Sequence, residues 1–293
     1  VGFSAVGVEA LRLGELKEKI KDGKLITRAY RERWGEKKSL PLLKKNKKLR
    51  EKYLQEFGSS TRFVRGEIED EATLNALMVL MQLSILKIRT EADKGNWVNF
   101  QQEVQAWFNF AADFAYEESS LIGLKVAGVV RSLLLDELES VVKTKSQEIA
   151  SSGALRVWFL KVRAPWPVDR VIVAEAKRFL APALLSVAEK VASNLQRNPY
   201  LTSAEALEQV PGGKPKGLDV LKAFWESSHI GMLKAEITRI GKLKIQLAVN
   251  EYSFKNKKKA EKIEDLVETK FLDGIPIDYN TGKPMELNSP QNQ

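Results

Sequence analysis

The chain has 293 residues, 44% apolar and 29% charged side chains, and a formal net charge of +9. That size and mix suit a folded protein with a substantial core, in one large domain or two intimate ones. With no cysteine and one histidine, His229, the chain excludes disulfides, thiolate nucleophiles and zinc sites built from several His or Cys of one chain.

Residues 1–65 carry 18 Lys and Arg against 8 Asp and Glu, and the remainder 29 against 30. The excess positive charge is therefore an N-terminal property beside a neutral body. A basic arm suits an anionic surface, whether lipid headgroups, nucleic acid or an acidic partner; it also fits a solvated Lys-rich helix. No apolar run approaches the roughly 18 residues of a membrane span. The first residue, Val1, is not Met, so removal of something upstream is expected, whether a signal peptide, a membrane anchor or simply the remainder of a longer chain cut at that point.

In chain order, Leu11, Leu13, Leu16 and Ile20 give residues 8–22 the spacing of a short amphipathic helix, stopping near Gly23. The next segment has Glu and Lys/Arg pairs at helical spacing, with Pro41 expected to break it. Lys37, Lys38, Lys44, Lys45, Lys47, Lys48 and Arg50 are the candidate anion-contacting residues. Trp34 and Tyr53 flank this run as bases would require of stacking aromatics, but no named nucleic-acid motif accompanies them, and nucleic acid is disfavoured as a partner. Tyr53, Leu54 and Phe57 form an apolar face that can dock on a core.

Gly58-Ser59-Ser60 breaks the chain. The acidic string Glu67, Glu69, Asp70, Glu71 suits the positive end of a helix dipole better than a metal cluster. Three core helices follow, over residues 70–92, 97–116 and 120–144. Leu74, Leu77, Met78, Met81, Ile85 and Ile88 mark the first. Gly95 suits a left-handed cap between the first two. Phe100, Val104, Trp107, Phe108, Ala111 and Phe114 form an aromatic stripe on the second, read as core. The third carries Leu124, Leu134 and Leu138, with Gly123 and Gly128 suited to a close helix crossing.

Residues 151–153 interrupt the chain again. Val157, Phe159 and Val162 fit either a short strand or a helix ending at Ala164. Pro165 and Pro167 hold extended backbone around Trp166, which reads as a core plug or a rigid partner-binding anchor. Helix resumes over 168–192, kinked or divided at Pro182. In the irregular stretch 198–217, Thr202 caps a short helix, and PGGKPKG lacks the spacing and ending of a P-loop. The last long helix covers 218–254. Ser227-Ser228-His229 has no oxyanion-hole motif beside it; a carboxylate enzyme would need Glu117, Glu118 and His229 in one pocket.

Two stretches carry a family resemblance. Ala92, Gly95, Asn96 and Trp97, followed by SSLIGLKVAG, match an A-x-x-G-(D/N)-W turn and the helix after it. This pattern, over residues 92–139, resembles a group of mostly helical extracytoplasmic bacterial proteins common in planctomycetes, many with an N-terminal membrane anchor. Ala248, Tyr252, Ile263, Leu266, Val267, Leu272, Ile275, Pro276, Asp278, Thr281, Gly282, Lys283 and Pro284 resemble the ending shared by that group and by pseudopilins. Tyr279-Asn280 replaces the usual Pro after the Asp, a lysine-rich KNKKKAEK replaces the usual G-x-(Y/F)-P, and assembly into a pilus-like fibre is not expected. Some pseudopilins bind calcium near this region, where Asp273, Asp278 and Glu286 are the carboxylates at hand. Gly274, Pro276, Asp278, Gly282 and Pro284 are assigned to a structural turn, with Thr281-Gly282 supplying a positive-φ position.

The expectation is an all-α protein, an irregular multi-helix bundle or solenoid-like array around a helical hairpin, with little or no β structure. Its segments are a basic arm (1–65), a central core (66–197) and a C-terminal part (198–293) packed on that core as one body. The leading function is a non-enzymatic scaffold or interaction subunit of the cell envelope, with a protein partner, no cofactor and no metal. The alternatives are a binder of an anionic polymer or lipid surface through residues 37–52, and a carboxylate-based enzyme.

Overall fold

The computed structural model describes residues 12–58, 70–118, 121–162, 168–179, 182–210 and 229–287. Among these, fourteen helices and no strand are present, so the fold is all-α. The nearest approach to β structure is one isolated antiparallel bridge between Ile277 and Pro284. The chain divides into two compact units, with the boundary inside one long helix after Glu137.

The first unit contains α1 (Leu16–Lys19), α2 (Gly23–Arg31), α3 (Glu36–Lys45), α4 (Lys47–Gly58), α5 (Glu71–Asp93), α6 (Trp97–Glu118) and most of α7 (Leu121–Thr144). Asp70 starts α5 as its N-cap: its carboxylate accepts from the Ala72 and Thr73 N–H groups at 3.3 Å each and from the Thr73 hydroxyl at 2.8 Å. Leu77, Leu80, Met81, Leu83, Ile85, Leu86 and Ile88 are all buried. α5 is the one described helix long and apolar enough to cross a membrane, yet more than half of its apolar window is buried within the protein. Gly95, at φ 68°, turns the chain into α6. The aromatic stripe of α6 is core, and α4 completes it: the Phe57 ring lies 5.0 Å from Trp107 and 4.5 Å from Phe110. α1, α2 and α3 pack on α5, and α4 on α6. The described basic segment is thus wrapped on the hairpin. Arg89 ties three helices, donating to Glu137 Oε2 at 2.9 and 3.0 Å and to the Tyr30 carbonyl at 3.2 Å.

Two boundaries in the basic segment differ from the sequence reading. Helix 8–22 is one described turn, and Gly23 opens α2 rather than closing a helix. The cause is Asn46: its side chain accepts from the Lys21 N–H at 2.9 Å and donates to the Lys21 carbonyl at 3.1 Å. Both backbone groups of Lys21 are thereby taken from any continuing helix, and Asp22 turns the chain at φ 62°. Pro41 lies inside α3 instead of breaking it. It sacrifices one backbone donor, and burial of Leu42 and Leu43 offsets the loss.

The second unit contains the end of α7, then α8 (Ser146–Ser152), α9 (Ala154–Leu160), α10 (Val168–Phe179), α11 (Pro182–Arg197), α12 (Ser203–Glu208), α13 (His229–Asn256) and α14 (Ile263–Glu268). α8, α9 and α14 pack on α13; α10 packs on α11, and α12 on α11. The strand alternative around Phe159 is overturned: the segment is helical, and Lys244 of α13 donates to the Leu160 and Val162 carbonyls at 3.0 and 2.9 Å, closing the C-terminal end of α9. Thr202 and Glu205 form a capping box at α12. Lys234 donates to the Tyr200 and Leu201 carbonyls at 3.0 and 2.8 Å, and burial lowers its pKa.

Candidate binding groove

Residues 36–58 hold 8 Lys and Arg against 3 Glu. Helical geometry divides these cations by face. Lys44 and Lys47 line a groove of about 780 Å³ formed by α3, α4, α5 and α6. Lys87 of α5 and Lys94, the C-cap residue after it, line the same groove, so cations from the arm and from the hairpin meet there. Lys94 pairs with Glu36 at 2.7 Å, and that hydrogen bond raises the Lys94 pKa. Lys47 stands 3.8 Å from Glu51, both exposed. Exposed pairs of this kind contribute ~0–1 kcal/mol, so an incoming anion displaces them at little cost.

Arg50 also lines the groove but is not a surface cation. It is buried and donates to the buried carboxylate of Glu103 on α6. Burial pushes the Glu103 carboxyl up, and Arg50 opposes that shift. Glu91 differs: burial pushes it up, but hydrogen bonds from Lys87 at 2.5 Å and Asn99 at 3.1 Å outweigh that and leave it below its ordinary value.

The remaining sequence candidates lie outside the groove. Lys45 pairs with Asp22 at 2.7 Å, Lys38 lies 5.9 Å from the Trp34 ring centre, and Lys37 and Lys48 are exposed. Tyr53 is buried with its hydroxyl donating to the Arg12 carbonyl at 3.1 Å, so it is no stacking platform for a base. Sequence reasoning missed Lys87 and Lys94, and also Asn99, Gln102, Gln105 and Asn109, which bring α6 carboxamides to the groove. The only signal for the last four was their spacing of three, three and four residues.

The C-terminal turn is built in the second unit. Gly282, at φ 69°, donates its N–H to the Asp278 carbonyl at 2.7 Å; the Asp278 N–H donates to Lys283 O and the Met285 N–H to Pro276 O, each at 2.9 Å. Asp278 Oδ1 accepts from Thr238 Oγ1 at 3.0 Å and from the Asn280 N–H at 2.8 Å. Burial pushes the Asp278 carboxyl up, and these bonds outweigh it and hold the pKa below the usual range. The exposed Gly274 precedes this turn. Ile263, Leu266, Leu272 and Met285 pack with Ile245, Ala248 and Tyr252, which is the physical use of that spacing. Among the described residues, no group of three or more His, Asp and Glu side chains is arranged to hold a metal.

Trp166 lies outside the described residues, as do the side chains of Glu117, Glu118 and His229. Comparison with protein-family models, with curated proteins and with solved structures gave no match.

Proposed function

We propose that this chain is a non-enzymatic helical interaction protein that takes an acidic segment of a protein partner in the groove of α3, α4, α5 and α6. The observation that carries the reading is the convergence of Lys44, Lys47, Lys87 and Lys94 on one concavity. Its apolar lining is aliphatic, from Leu40, Leu43, Leu54 and Ala106, and its polar lining is largely amide and ammonium. That mixture suits a peptide. Single-stranded nucleic acid is bound with the help of stacking aromatics, and the groove lining contains none. The resemblance of residues 92–139 and 248–284 to extracytoplasmic helical proteins supports a cell-envelope setting.

The test is fluorescence anisotropy with a fluorescein-labelled oligoglutamate peptide, titrated at low and moderate salt. Charged contacts at exposed sites are screened by salt, so the affinity should weaken as salt rises. A Lys44→Glu/Lys47→Glu double variant should bind about tenfold more weakly, a change of ~1.4 kcal/mol, while melting like the parent. An affinity indifferent both to salt and to this double variant would sink the reading.

A further inference from the structure

We infer that the groove recognises its acidic segment in an extended conformation, through peptide groups bonded to a row of carboxamides on α6. This rests on the groove reading above and deepens it.

Asn99, Gln102, Gln105 and Asn109 are separated by three, three and four residues, so they share one face of the helix. All four line the groove. Phe100, Val104, Trp107 and Phe110 turn into the core. Ten helical rises of ~1.5 Å from Asn99 to Asn109 give the row a length of ~15 Å. An extended chain advances ~3.3 Å per residue, so the row spans about four to five residues of it.

The chemistry of the row is specific. A carboxamide offers one acceptor oxygen and an NH₂ donor side by side. A peptide group offers the complementary C=O and N–H. A phosphate or carboxylate polymer has acceptors only, so it meets the donor half and leaves the carbonyl half without a partner. Four neutral side chains also add nothing to simple charge attraction, which the lysines already provide.

One end of the row is held in place. Asn99 Nδ2 donates to Glu91 Oε2 at 3.1 Å, and the buried Glu91 is held by Lys87 at 2.5 Å. Lys87 and Asn99 both line the groove, so a cation and a carboxamide reach the ligand from one bonded cluster. The partner segment is therefore acidic, extended and free of proline at the contacted positions, because proline has no N–H to give.

The probe is a short labelled peptide of alternating Glu and Ala, compared with its analogue in which backbone amides at the Ala positions are replaced by esters. Polyphosphate and anionic phosphatidylglycerol vesicles serve as backbone-free anions. With the wild-type chain, the ester analogue should bind about tenfold more weakly than the peptide. A Gln102→Leu/Asn109→Leu variant should lose about the same factor for the peptide and clearly less for polyphosphate, which meets only the donor half of each carboxamide. If that variant fails to fold, the ester comparison on the wild-type chain decides alone. Equal binding of peptide and ester overturns the inference, and so does tighter binding of vesicles or polyphosphate than of the peptide. Either result leaves the groove's cationic role to be judged by the Lys44→Glu/Lys47→Glu variant. Failure of both that variant and added salt to weaken peptide binding would remove the underlying reading as well.

Discussion

Gly153, between α8 and α9, faces Glu251 of α13 so closely that a Cβ at position 153 would lie 3.0 Å from Glu251 Oε1. The carboxylate is not free to retreat. It is buried and accepts from Arg156 Nε at 2.5 Å and from Lys255 Nζ at 2.6 Å, while Arg156 also donates to the Phe271 carbonyl at 3.0 Å. The Arg156 guanidinium therefore joins α9 to Glu251 of α13 and to the segment after α14.

Gly153→Ala should destabilise the chain by ~2–3 kcal/mol. Part is the cost of a side chain at φ 62°, ~1–2 kcal/mol for a non-glycine residue, and part is displacement of the Glu251 carboxylate from Arg156. Urea unfolding of variant and parent measures the difference. A variant as stable as the parent would show that Glu251 moves aside freely.

The buried pair of Arg50 and Glu103 gives a pH-dependent expectation. Removing Arg50 as Arg50→Met leaves the Glu103 carboxylate buried alone, which costs ~3–5 kcal/mol at neutral pH. Burial already pushes the Glu103 pKa above its ordinary 4.5, and loss of the opposing guanidinium pushes it further. A folded pKa above the unfolded one means that the folded state binds the extra proton in the window between them, so stability rises as pH falls through that window. The deficit of Arg50→Met should therefore shrink as acid is added toward pH 4.5. Denaturant midpoints across that range check it, and a deficit constant with pH would contradict the assignment.

Asp70 gives the opposite sign. Hydrogen bonds from the Thr73 hydroxyl and the Lys17 ammonium favour its charged form, and the Ala72 N–H adds to them, lowering its pKa from 3.8 to about 2. The stability it contributes is present above 3.8 and is lost as pH falls from there through about 2. Asp70→Ala should melt below the parent at neutral pH, and the two melting temperatures should converge over that acid window. Parallel curves with no convergence would mean that the carboxylate charge contributes nothing to the cap.

The helical hairpin was legible because its signals are local. The spacing of Leu77, Met81, Ile85 and Ile88 names the buried face, the acid at Asp70 names the start, and Gly95 names the turn. The groove was not legible in the same way. Lys44, Lys47 and Arg50 look equivalent in a basic run, yet Arg50 is buried because its partner, Glu103, stands 53 residues away. Periodicity identifies which face of α6 is apolar but does not separate a solvated polar face from one lining a concavity, so it cannot assign Asn99 to Asn109 to a groove. Pro41 misled because burial of Leu42 and Leu43 overrules a local breaker. Near Gly23 the break stands, but the Asn46 side chain sets it at Lys21, so Gly23 begins the next helix.

Gly241 on α13 tests how the C-terminal turn is seated. A Cβ there would lie 2.8 Å from Met285 Cε, 3.1 Å from its Sδ and 3.2 Å from Pro276 Cβ. The methionine tip can swing away, whereas the proline ring is fixed to the turn backbone, whose Pro276 carbonyl accepts from the Met285 N–H. Alanine gains ~1 kcal/mol of helix propensity over glycine, which offsets much of the crowding, so Gly241→Ala should stay near the parent in stability. Valine adds two further methyl groups against Pro276 and Met285, and overpacking of that kind costs ~1–3 kcal/mol. Gly241→Val should unfold at lower urea, and residues 276–287 should become more rapidly cleaved by protease than in the parent, because the turn is lifted from α13 and from Thr238. Gly241→Val with parental stability and a parental cleavage pattern would mean that the turn does not depend on this close approach.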